Sequence, residues 1–160
     1  MTGTEHNPTI NGEATVQYVT VVIGGQLFGI PIERVHDVFM PDSMTKVPLS
    51  AIEIAGVLNL RGRIVTSISM RQRLNLPPIE GNAMTMAVGI EYKSESYGLV
   101  IDKVGEVLSL PLDGHEPNPA NLDSKWAEIS GGVHRLDGQL MVILDVDRLL
   151  GSMTETLAAA

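Results

Sequence analysis

The chain has 160 residues, a formal net charge of −8 and no cysteine. The charge argues against nucleic acid and anionic membrane surfaces as main partners, and the lack of cysteine excludes disulfides and thiolate metal sites. No apolar run approaches the roughly 18 residues that a membrane span needs, and residues 1–12 lack a secretory signal pattern. We expect a soluble cytoplasmic protein without direct membrane insertion, and an aliphatic core, since 44% of the residues are hydrophobic but only 4% aromatic.

The first half of the chain is predicted to consist of strands joined by tight turns. Alternating β-forming residues predict two strands, 16–23 and 27–32, separated by a Gly24-Gly25 turn. Both faces of the first strand carry β-formers, which indicates that both are covered. Residues 48–55 are predicted to form one or two helical turns. A hairpin with Gly62 at its tip and a short helix over 70–74 follow.

The second half repeats this order. Its predicted strands are 86–92 and 97–101, with residues 93–96 as the turn. Asp137-Gly138 is a strong type I′ hairpin signal, stronger than Arg61-Gly62 at the matching position. A short helix is predicted over 146–150, and no segment carries a helical period over a dozen residues. The prediction is a mostly β protein.

Two segments of the chain recur in order. Residues 28–38 return as residues 97–107, 69 positions later, with an aromatic residue, a glycine, and matching acidic and valine positions. Residues 56–65 return as residues 132–141, 76 positions later. This period is too long for a stacked solenoid and fits half of a domain. Two similar halves predict a pseudo-symmetric body whose junction is a natural binding place.

No catalytic site is visible in the sequence. The four histidines have no metal-site spacing, and Ser67 and Ser69 lack the Gly-x-Ser-x-Gly setting of an exposed nucleophile. Asp145 and Asp147 are a candidate carboxylate pair, but Asp145 is better placed as the N-cap of a helix. We therefore predict no enzyme activity, no metal and no cofactor.

Arg61 is the most informative single residue. It lies at a hairpin tip between apolar strands, and its repeat position holds Asp137, so the duplication does not require an arginine. It is either a structural residue, paired with an acid such as Asp37 or Glu53, or a partner-contacting arginine of the kind enriched at interface hot spots. The spacing alone leaves both alternatives open.

The segment 56–65, Gly-Val-Leu-Asn-Leu-Arg-Gly-Arg-Ile-Val, resembles the Gly-Val-x-Asn-Leu-Arg-Gly-x-Ile-x-Pro segment of the CheW family, the chemotaxis coupling proteins of bacteria and archaea. Segments 28–35, 97–104 and 143–150 support the resemblance, which runs in order from about Val16 to Leu150.

The resemblance implies two pseudo-symmetric five-stranded SH3-like barrels with short helices, packed around a shared core with a groove between them. It also implies a non-catalytic adaptor without a cofactor. Such an adaptor couples the cytoplasmic tip of a methyl-accepting chemoreceptor to the regulatory domain of the histidine kinase CheA in bacterial chemotaxis. The protein would be cytoplasmic and recruited to membrane-bound receptor arrays.

The resemblance also implies a receptor-binding surface in the groove. Its residues are Val35, Asp37, Gly56, Arg61 and Ala87. A glycine permits close backbone approach by a partner. The residues that contact the kinase are left open.

The predicted domain organisation is a flexible N-terminus over 1–14, a single domain over 15–151 and a flexible C-terminus over 152–160. The domain would contain half-barrels at roughly 15–80 and 85–150, with exchange of elements between them left open.

Two positions depart from the family pattern, and other functions are kept as alternatives. Thr66 stands where proline is usual and Ser69 where aspartate is common. Serine caps helices nearly as well as aspartate, so the fold prediction stands. The alternatives are a regulatory fragment of a kinase, a coupler for a histidine kinase outside chemotaxis, and a small hydrolase or ligand-binding barrel.

Overall fold

A computed structural model describes residues 9–10, 13–42, 44–79 and 85–153. Its regular structure is mostly β, as predicted. The strands are β1 Thr9–Ile10, β2 Glu13–Ile23, β3 Gln26–Pro31, β4 Asp37–Phe39, β5 Ile54–Leu60, β6 Arg63–Ser69, β7 Met86–Tyr92, β8 Glu95–Ile101, β9 Lys103–Pro111, β10 His115–Glu116, β11 Ser130–Leu136 and β12 Gln139–Leu144. The helices are α1 Met70–Arg73, α2 Ser124–Ala127 and α3 Val146–Gly151, and 3₁₀ turns occur at Ile32–Arg34 and Leu112–Gly114.

Two of the three short helices lie where the sequence predicts them. The side chains of Ser69 and Asp145 cap α1 and α3 by accepting hydrogen bonds from the backbone amides of Gln72 (3.3 Å) and Arg148 (3.0 Å). Ser69 therefore does the capping that aspartate would do. The sequence did not predict α2, which has only four residues and is capped by Asp123.

The prediction of a helix over 48–55 is wrong. Residues 48–49 and 52–53 form turns, and β5 starts at Ile54. Leu49 has a φ of 63°, a left-handed conformation that a right-handed helix does not contain. A helix this short is marginal by itself, and ladder pairing of β5 with β6 prevails from Ile54 onward.

The strands form two sheets. The seven-stranded sheet has the order β1-β2-β3-β12-β11-β10, and β9 also pairs with β2. The five-stranded sheet has the order β4-β7-β8-β6-β5. Apart from the two-residue strands β1 and β10, each sheet has five strands, the predicted number. In the part of the chain that the structure describes, the ladders leave both sheets open rather than closed into barrels.

Each sheet takes strands from both halves of the chain. The hairpin β2–β3 lies in the seven-stranded sheet with β9, β11 and β12, whereas the hairpin β7–β8 lies in the five-stranded sheet with β4, β5 and β6. The parallel ladders β3–β12 and β8–β6 join the halves. Strands are therefore exchanged between the halves, and superposition of the two halves stays a prediction.

The pairing of the strands reproduces the two displacements, of 69 and 76 positions, found in the sequence. Phe28 pairs with Val142. Tyr97, 69 positions after Phe28, pairs with Thr66, 76 positions before Val142. The antiparallel ladders of the hairpins correspond in the same way. We call two residues counterparts when they are related by 69 positions between β2–β4 and β7–β9, or by 76 positions between β5–β6 and β11–β12.

Three apolar clusters hold the molecule together. The central cluster contains residues of both sheets, α1 and α3, and therefore joins the sheets. Because side chains alternate along a strand, residues between the central ones face away from it. On the five-stranded sheet they form the five-strand cluster: Phe39, Leu58, Val65 and Ala87. On the other sheet they form the seven-strand cluster: Tyr18, Met141 and Ile143.

The chain ends are only partly described. β1 pairs with residues 13–14 at the start of β2. Met153, which the prediction placed in a flexible C-terminus, is 3% exposed and belongs to the central cluster. The rest of the predicted flexible ends, residues 1–8, 11–12 and 154–160, lies outside the described residues.

Candidate partner-binding site

Arg61 and Gly62 are the two turn residues of the hairpin β5–β6. Both have positive φ, 52° and 85°, which is type I′ geometry, and the Gly62 amide donates to Asn59 Oδ1 at 2.9 Å. Arg61 Nη1 lies 2.9 Å from Asp37 Oδ2. Of the two acids considered as partners, Asp37 is the one that pairs with Arg61. The Arg61 side chain is still 72% exposed, so the pairing leaves it accessible to a partner.

The counterpart turn has a different geometry. Of Asp137 and Gly138, only the glycine has positive φ, so the predicted type I′ turn is wrong there. Asn59 is short enough to bond the turn amide beside it. Its counterpart, Arg135, pairs instead with Glu116 across the strands, at 3.0 Å. The two hairpins thus differ both in turn geometry and in the bond made by the residue two positions before the turn residues.

Asp37 lies on the edge strand β4, directly opposite Gly89 of β7. A Cβ atom at Gly89 would collide with Asp37 Oδ1, so the glycine provides the space in which the carboxylate lies. Gly89 was not predicted as a site residue. The only sequence signal for Gly89 is that its counterpart is Thr20. A strand at this position of the duplicated fold therefore does not require glycine.

A pocket of about 280 Å³ opens beside the ion pair. It is lined by His36, Asp37, Phe39, Leu60, Arg61, Arg63, Val65, Gly89, Ile90, Ser96 and Tyr97. The lining residues all belong to the five-stranded sheet and to the turns that adjoin it. The pocket is therefore not the groove between two barrels that the resemblance implies.

Arg63 forms part of the rim of this pocket and was also not predicted. Its Nη2 donates to Ser96 Oγ at 2.5 Å. Among the described residues, no carboxylate lies within 4.0 Å of its guanidinium. His36, on the same rim, lies 3.5 Å from Glu91 Oε1. Within the described ranges, Arg63 is therefore a cation without a carboxylate in salt-bridge contact.

Two of the predicted receptor-binding residues, Val35 and Gly56, have positions that the fold itself explains. Val35 is half-buried against the central cluster, as is its counterpart Val104. Gly56 lies at a β-bulge with a φ of 151°, and a Cβ there would be 2.6 Å from the Thr45 carbonyl oxygen. Its counterpart Gly132 is also a bulge glycine with positive φ. The close backbone approach at Gly56 is thus made by the chain itself.

Ala87 lies below the pocket and not at its surface. It is fully buried in the five-strand cluster, next to the pocket-lining residues Phe39 and Val65. Its side chain is covered by its neighbours and is not exposed to a partner. Of the five predicted residues, the structure brings Asp37 and Arg61 into contact and buries Ala87 in the cluster next to the pocket.

The residues considered for catalysis are buried, cap a helix or form an ion pair. Ser67 is fully buried, and its hydroxyl has no hydrogen-bond partner among the described residues. Asp145 caps α3, and Asp147 pairs with Arg34 at 3.1 Å. The described part of the chain contains no group of three or more His, Cys, Asp or Glu residues that could hold a metal ion. Nor does it contain a helix long and apolar enough to cross a membrane.

Comparison with known proteins agrees with this architecture. The CheW-like domain matches residues 17–153. The chain belongs to the CheW-like domain family. Its CheW relatives include the chemotaxis protein CheW of Helicobacter pylori, 26% identical over 140 residues that cover 88% of this chain and 84% of the relative. The CheW of Klebsiella aerogenes is 27% identical over 136 residues, which cover 85% and 82%.

A solved CheW structure has the same fold. The scaffolding protein TtCheW from Thermoanaerobacter tengcongensis superimposes with a TM-score of 0.73 at 26% identity, over 81% of this chain and 88% of that one. The family resemblance and the CheW-like fold predicted from the sequence are confirmed. The pocket, Arg61 and Asp37 all lie within the matched CheW-like domain.

Proposed function

We propose that this protein is a non-catalytic adaptor that couples chemoreceptors to the histidine kinase CheA. Membership of the CheW family supports a role in chemotaxis signalling, and one similar structure is titled a scaffolding protein. In this proposal the chain works in the cytoplasm, at receptor arrays on the membrane. It needs no cofactor, because its function is to hold two proteins together.

The observation that best supports the proposal is the exposed ion pair at the pocket. Arg61 adopts a left-handed backbone conformation at a hairpin tip, is held by Asp37 and still presents most of its guanidinium to solvent. Its counterpart is Asp137, so the fold does not require an arginine there. Arginine at such a position is typical of a binding hot spot.

The test is direct binding to both partners. The purified chain should bind the CheA regulatory domain and a cytoplasmic hairpin fragment of a chemoreceptor, as measured by calorimetry. Arg61→Asp should lower the receptor affinity about thirtyfold or more, because a hot-spot arginine is worth about 2 kcal/mol and its charge is reversed.

Arg135→Asp is the matched control. Arg135 is exposed like Arg61 and pairs with Glu116 at 3.0 Å, but it lies on strand β11 of the other sheet. It should leave receptor affinity within about twofold of the wild type. A wild-type chain that binds neither partner would overturn the proposed function.

A further inference from the structure

The face of the five-stranded sheet that carries the five-strand cluster has small side chains where the other sheet has large ones. At several positions of this face the residue is smaller than its counterpart. These residues, each with its counterpart, are Val65 and Met141, Ser67 and Ile143, Ala87 and Tyr18, Gly89 and Thr20, and Ser96 and Leu27. On the seven-stranded sheet, Tyr18, Met141 and Ile143 are buried together, and Leu27 packs against them. The pocket therefore lies on the sheet whose side chains leave space unfilled.

The equivalent glycines Gly29 and Gly98 show the difference directly. A Cβ atom at Gly29 would lie 2.6 Å from Met141 Cε, so the methionine covers this glycine closely. At Gly98 the nearest atom would be Phe39 Cζ at 3.1 Å, and Val65 Cγ1 would be 3.5 Å away. Val65 has no group that corresponds to the methionine thioether, and it borders the pocket instead.

The rim of the pocket carries one arginine that is not neutralised. Arg61 pairs with Asp37, which is the only acidic residue among the described residues that line the pocket. Arg63 forms no ion pair within the described part of the chain and donates to Ser96 Oγ. The counterpart of Arg63 is Gln139, so the pairing of the strands does not require a cation at this position.

The volume and the lining of the pocket indicate the kind of ligand that it suits. Its 280 Å³ is just below the range of about 300–1,000 Å³ that is typical of small-molecule sites, so the ligand must be compact. Phe39 and Val65 offer an apolar surface, and Tyr97 adds a second aromatic ring to the lining. An aromatic group packs well against such a surface.

The charge of the rim indicates a single carboxylate on this ligand. Ser96 takes one of the five N–H donors of the Arg63 guanidinium, so other donors remain available. A guanidinium can donate two parallel hydrogen bonds to one carboxylate. One positive charge balances one carboxylate, whereas a phosphate dianion would need a second free cation.

We propose that this pocket is a binding site for a small aromatic monocarboxylate. The ring would lie against Phe39 and Val65, and the carboxylate would accept hydrogen bonds from Arg63. Asp37 remains paired with Arg61 and does not compete with the ligand for Arg63. This inference goes beyond the proposed function, because neither the receptor nor the kinase takes part in the binding.

The first test compares four probes on the full chain. Benzoate has both the ring and the charge, benzamide has the ring without the charge, and acetate and inorganic phosphate have charge without the ring. Benzoate should bind about tenfold more tightly than each of the others, because only benzoate makes both kinds of contact. Its NMR chemical-shift changes should fall on the amides of Gly89, Ser96 and Tyr97. Equal binding of benzoate and benzamide, no saturable binding of benzoate, or shifts confined to other residues would overturn the proposal.

The second test fills the pocket with the side chain found on the other sheet. Val65→Met introduces the side chain of the counterpart Met141 and should weaken benzoate and benzamide alike, by about tenfold, because it occupies the space that both need. Val107→Met is the matched control, because Val107 is a half-exposed strand residue of the seven-stranded sheet. It should bind benzoate within about twofold of the wild type.

The third test removes the charge and keeps the space. Arg63→Gln introduces the side chain of the counterpart Gln139. It should weaken benzoate about tenfold and leave benzamide within about twofold, a selective loss that a general disturbance of the sheet would not produce. Arg135→Gln, at an exposed arginine of the other sheet, is the control and should bind both probes as the wild type does. Arg63→Gln also decides the matter if Val65→Met fails to fold.

The outcomes of these tests are independent of the proposed function. If Arg63→Gln or a folded Val65→Met chain binds benzoate as tightly as the wild type does, this inference is overturned and the adaptor function stands. If the wild type binds neither CheA nor the receptor fragment but binds benzoate as described, the ligand site stands and the adaptor function falls.

Discussion

The Arg61 side chain is both held by an ion pair and accessible to a partner. Its ion pair with Asp37 fixes the direction of the guanidinium, while its exposure keeps most of the donors accessible. A fixed direction lowers the entropy that a partner must remove on binding. The structural and functional interpretations of the sequence are therefore compatible.

The Arg61–Asp37 pair should contribute little to stability. Arg61→Ala should leave the melting temperature within a few degrees, because an exposed ion pair is worth only about 0–1 kcal/mol. In Arg61→Asp two carboxylates would face each other, and adding Asp37→Arg should partly restore receptor binding. Thermal denaturation and calorimetry measure the two effects. Unfolding of Arg61→Ala would show that the residue is structural and would remove the functional assignment.

The sequence predicted part of this site because part of it is local. Arg61 is recognisable from its turn, and Asp37 from its place at the end of a repeated segment. Gly89, Arg63 and Ser96 gain their roles only from strand neighbours far away in the chain. Which strands become neighbours is decided by the whole fold, so a reading along the chain does not identify these residues.

At the scale of elements, the short strand β10 pairs with β11 through two histidines. His115 lies opposite His134, and their ring centres are 6.1 Å apart. His134 is buried, packs edge-on to Tyr18 at 5.6 Å, and its Nε2 has no hydrogen-bond partner within the described chain. Burial, followed by the nearby charge of His115, lowers the pKa of His134 below its ordinary value of 6.5.

The burial of His134 should make the stability of the protein depend on pH. The folded chain binds fewer protons at His134 than the unfolded chain, so stability is complete above about pH 6.5 and falls as the pH drops below it. The melting temperature should fall between pH 7.5 and pH 5.5. His134→Leu, which introduces the side chain of its counterpart Leu58, should reduce this fall. An equal fall in the variant would show that other groups cause it.

Elements were predictable in proportion to their length and periodicity. The hairpins β2–β3 and β7–β8 lie where alternation places them, but the turn predicted over 93–96 has only residues 93 and 94, because β8 pairs with β7 from Glu95 onward. The four-residue helix α2 and the turns at 48–53 were missed or misassigned. Segments this short carry too few residues for a period, and their conformation follows from neighbouring contacts.

For the molecule as a whole, a partly buried ion pair links the two sheets. Arg71 of α1 donates from Nε and Nη2 to the two oxygens of Asp102, at 2.9 and 2.7 Å, beyond the end of β8. The same carboxylate accepts the Gly24 amide, in the β2–β3 turn of the other sheet, at 2.8 Å. The hydrogen bond from Arg71 lowers the pKa of Asp102 below its ordinary value of 3.8, although burial opposes the shift.

Asp102→Asn should destabilise the fold by about 1–3 kcal/mol, because it weakens hydrogen bonds to a charged group that is mostly shielded from water. In the wild type this contribution is present above about pH 3.8 and is lost as the pH falls through the lowered pKa. Urea denaturation at pH 7 measures the change. Asp147→Asn, at the exposed pair with Arg34, is the control and should cost about 0–1 kcal/mol.

The duplication was visible in the sequence, but the exchange of strands was left open. The displacements of 69 and 76 positions follow from matching residues, and the ladders reproduce both. A strand has two edges, and local sequence does not state which distant strand will occupy each of them. Only the complete set of apolar faces selects the pairing of β3 with β12 and of β8 with β6.

The exchange of strands has a consequence for how the protein is made. The ribosome delivers β2 and β3 early, but β12, which pairs with β3, is the last of the described strands to be synthesised. Until then the nascent chain carries an open edge at β3, and pairing so distant in sequence is slow to form. Neither sheet is complete in a product that stops after α1. Synthesis and degradation should therefore yield whole folded chains or unfolded ones, with no stable product in which only half of the domain is folded.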